Sequence, residues 1–247
     1  MTSPVLAEDR GDHLRVTLNR PHVRNAVNLE VVEALHQVCA DLERAPRVLV
    51  LGGRDGIFAA GADIAELRER RRDDALQGIN SGLFDRIARL PMPTVAVVDG
   101  PAIGGGAELA YACDLRIGTP RARFGNPEVS LGIIAAAGAC WRLAELVGEP
   151  MAKEMLLAGR MLSAQEALDC RLITRLVAEE GLVDAVEALV RQLGRADPLA
   201  LRLTKAAVHS PRAAHPMVDN ALQAILFETE SKHQRMTAFL EKKERST

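Results

Sequence analysis

The run Leu29-Glu30-Val31-Val32-Glu33-Ala34-Leu35-His36-Gln37-Val38-Cys39-Ala40-Asp41-Leu42, followed after Pro46 by Val48-Leu49-Val50-Leu51, decides the fold class. In the first segment apolar Leu29, Val32, Leu35, Val38 and Leu42 recur every three or four residues, the period of a helix with one buried face. Asn28 stands where an N-cap belongs. The second segment is apolar at every position, too short for a helix, and bounded by Pro46 and Gly52-Gly53. It reads as a strand buried on both faces, as in a parallel sheet flanked by helices. Upstream, residues 5–8 and 14–18 are strand candidates separated by the turn Asp9-Arg10-Gly11-Asp12. Strand, helix, buried strand is a βαβ signal.

The theme recurs downstream. A helical stretch over 74–90 is stopped by Pro91 and Pro93, and residues 94–98 form another buried strand. Asp99-Gly100-Pro101 then leads into Gly104-Gly105-Gly106 and a helix over 108–112. Residues 114–118 and 122–124 are further short strands. Beyond Ala137 the pattern is helical, over 138–147, 150–157, 164–169, 182–193, 199–208 and a long 217–241. The expected architecture is an α/β core over 1–195 with a helical C-terminal part over 196–247.

Composition narrows the function. The 247 residues carry 31 Lys and Arg against 33 Asp and Glu, a net charge of −2, which gives no basic footprint for nucleic acid. No apolar run approaches the ~20 residues of a membrane span, and residues 1–12 do not read as a signal peptide. The four cysteines, Cys39, Cys113, Cys140 and Cys170, are scattered, as expected of reduced thiols in a cytoplasmic protein. No G-x-x-x-x-G-K-[ST] loop, H-E-x-x-H pair or G-x-S-x-G elbow is present, and Gly104-Gly105-Gly106 lacks the third glycine of a dinucleotide fingerprint. No metal site is expected. The cluster Arg68, Arg70, Arg71, Arg72, flanked by Glu66, Glu69, Asp73 and Asp74, reads as a solvated, salt-bridged surface.

Two glycine-containing turns and two glutamates carry the chemistry. In Phe58-Ala59-Ala60-Gly61-Ala62-Asp63 the small side chains leave the backbone open, and Asp63 is placed to cap a helix beginning near Ile64. Gly104-Gly105-Gly106 opens a helix, whose first N–H groups lack internal partners and sit at its positive end. Two N–H groups converging from separate segments on one carbonyl oxygen make an oxyanion hole. Glu108 falls in the first turn of that helix, and Glu128 follows Phe124-Gly125-Asn126-Pro127. Two carboxyls beside an oxyanion hole can move protons next to an enolate.

Taken together, Asn19-Arg20-Pro21 with Asn25-Ala26, the Phe58–Asp63 turn, Gly104-Gly105-Gly106-Ala107-Glu108-Leu109 with Cys113-Asp114, Phe124-Gly125-Asn126-Pro127-Glu128 with Leu131-Gly132, and Met236-Thr237-Ala238-Phe239-Leu240-Glu241-Lys242 resemble the enoyl-CoA hydratase/isomerase (crotonase) family. The resemblance covers nearly the whole chain. It implies a crotonase-like ββα superhelix and an acyl-CoA thioester substrate, with no cofactor beyond the CoA of the substrate itself. It assigns the oxyanion hole to the N–H groups of Ala62 and Gly105, acid/base catalysis to Glu108 and Glu128, and a backbone contact with the adenine to Ala60 and its neighbours, including Asp63 and Ile64. Arg24 and Lys242 become candidate contacts to CoA phosphates, and the acyl pocket is expected within 64–83. A homotrimer or dimer of trimers is implied, with the C-terminal part at the subunit contacts and covering the site. The implied activity is hydration of a trans-2-enoyl-CoA. The alternatives are an enoyl-CoA delta-isomerase and a catalytically weak acyl-CoA-binding member. One stretch departs from the family pattern: Ala135-Ala136-Ala137-Gly138-Ala139 stands where hydratases usually read Pro-Gly-x-Gly-Gly. Ala136 thus puts a Cβ beside the acyl group or the reacting water.

Overall fold

A computed structural model of the chain describes residues 3–244. Met1, Thr2 and the last three residues, which the expected domain limits include, lie outside the described residues. The chain divides into two compact units, one up to Val190 and one from Arg191 onward.

The first unit opens with strands β1 (Val5–Asp9) and β2 (His13–Leu18), helix α1 (Leu29–Arg44) and strand β3 (Val48–Gly53). The Asn28 side chain accepts the Val31 N–H at the start of α1, and Val31, Val32, Leu35, Val38, Cys39 and Leu42 are buried along its length. Three helices follow: α2 (Ile64–Glu69), α3 (Arg72–Gln77) and α4 (Ile79–Ala88). The single helix expected over 74–90 is thus broken, because Gly78 adopts a left-handed φ of 64° and ends α3. Strands β4 (Thr94–Val98) and β5 (Pro101–Ile103) lead into α5 (Gly105–Tyr111), then β6 (Leu115–Gly118) and β7 (Arg123–Gly125). Beyond them lie α6 (Ala144–Val147), α7 (Glu149–Leu157), β8 (Leu162–Ser163), α8 (Ala164–Asp169), β9 (Arg175–Leu176) and α9 (Leu182–Gly194).

The strands form two sheets. The larger has the order β1-β2-β3-β4-β6-β9 and the smaller β5-β7-β8. The β1–β2 and β7–β8 pairs are antiparallel and the remaining pairs parallel. The chain passes from the large sheet (β4) to the small one (β5), through α5, and again from β6 to β7. This two-strand-then-helix winding is the α/β architecture expected. β3 and β4 are buried along almost their whole length, and the core runs continuously from β2 and α1 to α7 and α8.

The second unit contains the end of α9 with α10 (Pro198–Val208), α11 (Met217–Phe227) and α12 (Glu230–Glu244). The helix expected over 217–241 is interrupted at Thr229, whose hydroxyl donates to Leu226 O at 2.8 Å and accepts the Lys232 N–H at 3.2 Å. A threonine side chain here competes with the helix's own hydrogen bonds. Among the described residues, no helix is long and apolar enough to cross a membrane.

Candidate active site

The turn carrying Ala62 is fixed by two isolated parallel bridges, Ala59 with Ala102 of β5 and Val27 with Ala62. In the first, Ala59 N–H donates to Pro101 O at 3.1 Å and Ile103 N–H to Ala59 O at 3.0 Å. In the second, Val27 N–H donates to Gly61 O at 2.8 Å and Asp63 N–H to Val27 O at 3.0 Å. The bridge therefore uses the groups flanking Ala62 and leaves the Ala62 N–H outside it. Gly104 N–H donates to Gly125 O at 2.8 Å, which ties the glycine turn to β7 and hence to the segment bearing Glu128.

These ties bring the two turns together. A Cβ on Gly105 would lie 3.4 Å from Ala62 N. Gly105 is the first residue of α5, where an N–H has no intrahelical acceptor. Two glycines make the approach possible. Gly104 has φ +52°, and a Cβ there would meet Glu128 Oε1 at 3.0 Å. At Gly106 a Cβ would lie 2.2 Å from Ala59 O, closer than any carbon can sit to a backbone oxygen.

Ala60, Ala62, Ile64, Gly105, Glu108, Glu128 and Ala136 all line one cavity of about 450 Å³. Glu108 is 4% exposed and Glu128 8%. Glu108 Oε1 accepts the N–H groups of Ala137 at 2.8 Å and Ala139 at 3.1 Å. Burial, aided by the charge of Glu128 and opposed by those two N–H groups, pushes its pKa up to about 7. Burial likewise raises the pKa of Glu128, against a hydrogen bond from Asn126. Asn126 Nδ2 reaches Glu128 Oε1 at 3.4 Å, while the buried Glu128 Oε2 has no partner. Behind them Tyr111 Oη donates to Asn126 Oδ1 at 3.1 Å.

Other expected site residues stand elsewhere. Asp63 caps α2, its Oδ1 accepting the Ala65 N–H, and its Oδ2 accepts from Arg20 Nη1 at 3.2 Å, so it positions the turn from behind. Arg24 is exposed and its carbonyl accepts the Ala60 N–H at 3.0 Å. Lys242 lies on α12, in the second unit. In the departing stretch, Ala136 is exposed on the cavity wall, and Ala137 and Ala139 bond Glu108 through backbone N–H groups.

Four contributors escape the sequence reading. Tyr111 is the only tyrosine in the chain and lies three residues after Glu108 on α5. Asn126 lies within a motif that gives it no role. Arg70 and Asn80 also line the cavity, within the stretch 64–83 expected to hold the acyl pocket, although no motif marks either residue. Arg68 and Arg72 of the basic cluster pair with Glu69 and Asp73 at the surface as expected, whereas Arg70 turns inward to Asn80. Among the described residues no group of three or more His, Cys, Asp or Glu is placed to hold a metal ion.

The sequence model of one family, enoyl-CoA hydratase/isomerase, matches residues 12–246. The short-chain-enoyl-CoA hydratase of Clostridium acetobutylicum is 34% identical over 253 residues, 97% of this chain and 95% of that protein. The 2,3-dehydroadipyl-CoA hydratase of Escherichia coli is 34% identical over 238 residues, covering 93% and 92%. The crystal structure of an enoyl-CoA hydratase from Bacillus anthracis superposes with a TM-score of 0.91 at 28% identity, covering 97% of this chain and 96% of that one.

Proposed function

Because this chain belongs to the enoyl-CoA hydratase/isomerase family, we propose that its cavity adds water across the 2,3 double bond of a trans-2-enoyl-CoA. One observation carries the reading: two buried carboxyls, Glu108 and Glu128, line the same cavity as the N–H-bearing turns at Ala62 and Gly105. The thioester oxygen accepts from both N–H groups, and negative charge grows on it as C3 is attacked. Donors aimed at such a charge contribute roughly 3–4 kcal/mol each.

Proton traffic falls to the glutamates. Both hydrogen bonds to Glu108 end on Oε1, which leaves Oε2 to take a proton from the water whose oxygen bonds to C3. The π electrons move toward C2 and the thioester, and Glu128 in its protonated form supplies the proton that C2 gains. The unpartnered, buried Glu128 Oε2 supports that role, since a buried oxygen without a donor is poorly suited to carry charge. The proton gained by Glu108 balances the one given by Glu128, and its return resets the pair. An isomerase needs a single carboxyl to carry a proton along the chain, so the second one favours hydration.

Arg24 is assigned in this reading to a CoA phosphate and Ala60 to the adenine. The substrate's own CoA is the only cofactor. The exposed apolar side chains Phe227, Phe239 and Leu240 are assigned to subunit contacts, in the homotrimer or dimer of trimers that the family resemblance implies, and the scattered cysteines fit a cytoplasmic setting.

The test is incubation with crotonyl-CoA, following loss of the conjugated thioester absorbance and the product mass. Gain of one water is expected, with Glu128→Gln slowing turnover roughly 10²–10⁴-fold while acyl-CoA still binds. Turnover that survives this change removes Glu128 as donor. Binding without gain of water, from crotonyl-CoA and from a dicarboxylic enoyl-CoA alike, refutes hydration and directs the question to isomerisation.

A further inference from the structure

The cavity is not uniformly apolar. Away from the glutamates its wall is built by α2, the turn into α3 and the start of α4, where Leu67 and Ile79 stand with Arg70 and Asn80. Arg70 Nη1 donates to Asn80 Oδ1 at 3.2 Å, and both side chains are half-buried. Asn80 Nδ2 lies 3.8 Å from the position a Cβ would take on Gly105. The polar pair therefore begins beside the oxyanion donors and extends away from them to the C-terminal end of α2.

The surrounding charges leave Arg70 a distinct role. Arg68 and Arg72 are paired at the surface with Glu69 and Asp73. Asp74 also lines the cavity, but its Oδ2 accepts the Arg71 N–H at 2.7 Å. Among the described residues, no carboxylate forms an ion pair with Arg70. A guanidinium presents five donors in a rigid fork matched to the two oxygens of a carboxylate, and one bond to Asn80 leaves most of that fork available while fixing its plane. A half-buried cation with a neutral partner gains more from an anionic ligand than an exposed, already paired one.

Given that this site binds acyl-CoA thioesters, we propose that the acyl group it takes ends in a carboxylate, bound by Arg70 with Asn80 orienting the guanidinium. The substrate class is the CoA thioester of a short unsaturated dicarboxylic acid. Arg70 sets the specificity and Asn80 holds Arg70 in place.

Saturated thioesters test this without any turnover. Isothermal titration compares glutaryl- and adipoyl-CoA with chain-matched pentanoyl- and hexanoyl-CoA on the wild type and on Arg70→Met. The diacyl compounds are expected to bind the wild type roughly 10- to 100-fold tighter, and Arg70→Met to abolish or reverse that preference. Equal wild-type affinity for matched pairs overturns the proposal. So does an Arg70→Met loss that is the same for both classes and for CoA itself, since Arg70 would then be pairing with a CoA phosphate. Wild-type discrimination lost in Arg70→Met, in a protein that does not hydrate crotonyl-CoA or a dicarboxylic enoyl-CoA, upholds this assignment and refutes only the hydratase reading. Failure to bind any thioester overturns both.

Discussion

Replacing Glu108 with Gln is expected to make the protein more stable in alkaline solution and nearly inactive at once. The side chain is 4% exposed, and burial first of all, reinforced whenever Glu128 is ionised, lifts its pKa from an ordinary 4.5 to about 7. The folded state therefore binds this proton more tightly than the unfolded chain does. The stabilisation that accompanies the neutral carboxyl is complete below about pH 4.5 and is lost as the pH rises through about 7. At about 1.4 kcal/mol per tenfold change in proton affinity, the interval from 4.5 to about 7 corresponds to about 3 kcal/mol. Gln has nearly the same shape, cannot ionise, and keeps a carbonyl oxygen for the Ala137 and Ala139 N–H groups. Urea unfolding should show the two proteins close at about pH 5, with the Glu108→Gln variant gaining up to about 3 kcal/mol by about pH 9. Hydration should fall roughly 10²–10⁴-fold, and wild-type kcat/KM should rise with pH through about 7. A stability gap that does not change with pH would refute the claim that the fold holds a costly charge here, and undiminished turnover would refute its use as the base.

Gly105→Pro removes the proposed N–H donor at a first helical position, where proline is tolerated. It should lower kcat roughly 10²–10³-fold with unchanged circular dichroism, and unaltered kinetics would rule this donor out. Gly106→Ala sets a Cβ 2.2 Å from Ala59 O; overpacking against backbone should cost about 1–3 kcal/mol or more, and an unchanged thermal melt would contradict the close approach. Tyr111→Phe leaves Asn126 Oδ1 without its donor, at a cost of about 1–3 kcal/mol. It also loosens the amide that faces Glu128, so kcat should drop at constant KM; a kcat equal to the wild type's would count against the relay.

The residues that could be read in advance share a property: their signal is local. β3 and β4 are legible because both faces are buried, so apart from Thr94 and the two glycines that end β3 every residue is apolar. β8 and β9 are not, since two residues cannot display alternation, and β5 begins at Pro101 inside what reads as a turn. Gly78 looks like a tolerable glycine inside a helix, because composition does not reveal the sign of φ. Within the site, Ala62, Gly105, Glu108 and Glu128 stand in compact motifs. Arg70 is concealed by acidic neighbours that do pair with the arginines on either side of it. Tyr111 and Asn126 are 15 residues apart, and only the return of the chain from α5 through β6 to β7 places them in contact.

The groups that hold Glu108, and the turns assigned to the thioester oxygen, are main-chain amides, the former supplied by Ala137 and Ala139 and the latter by Ala62 and Gly105. Main-chain chemistry is indifferent to the side chains attached to it. Natural drift, or a mutagenesis library, can therefore rewrite Ile133, Ile134 and Ala136 on the cavity wall without touching the reaction itself. Acyl preference and chemical step are separately heritable in such a site, so new substrates are reached by changing the wall while the catalytic frame stays as it is.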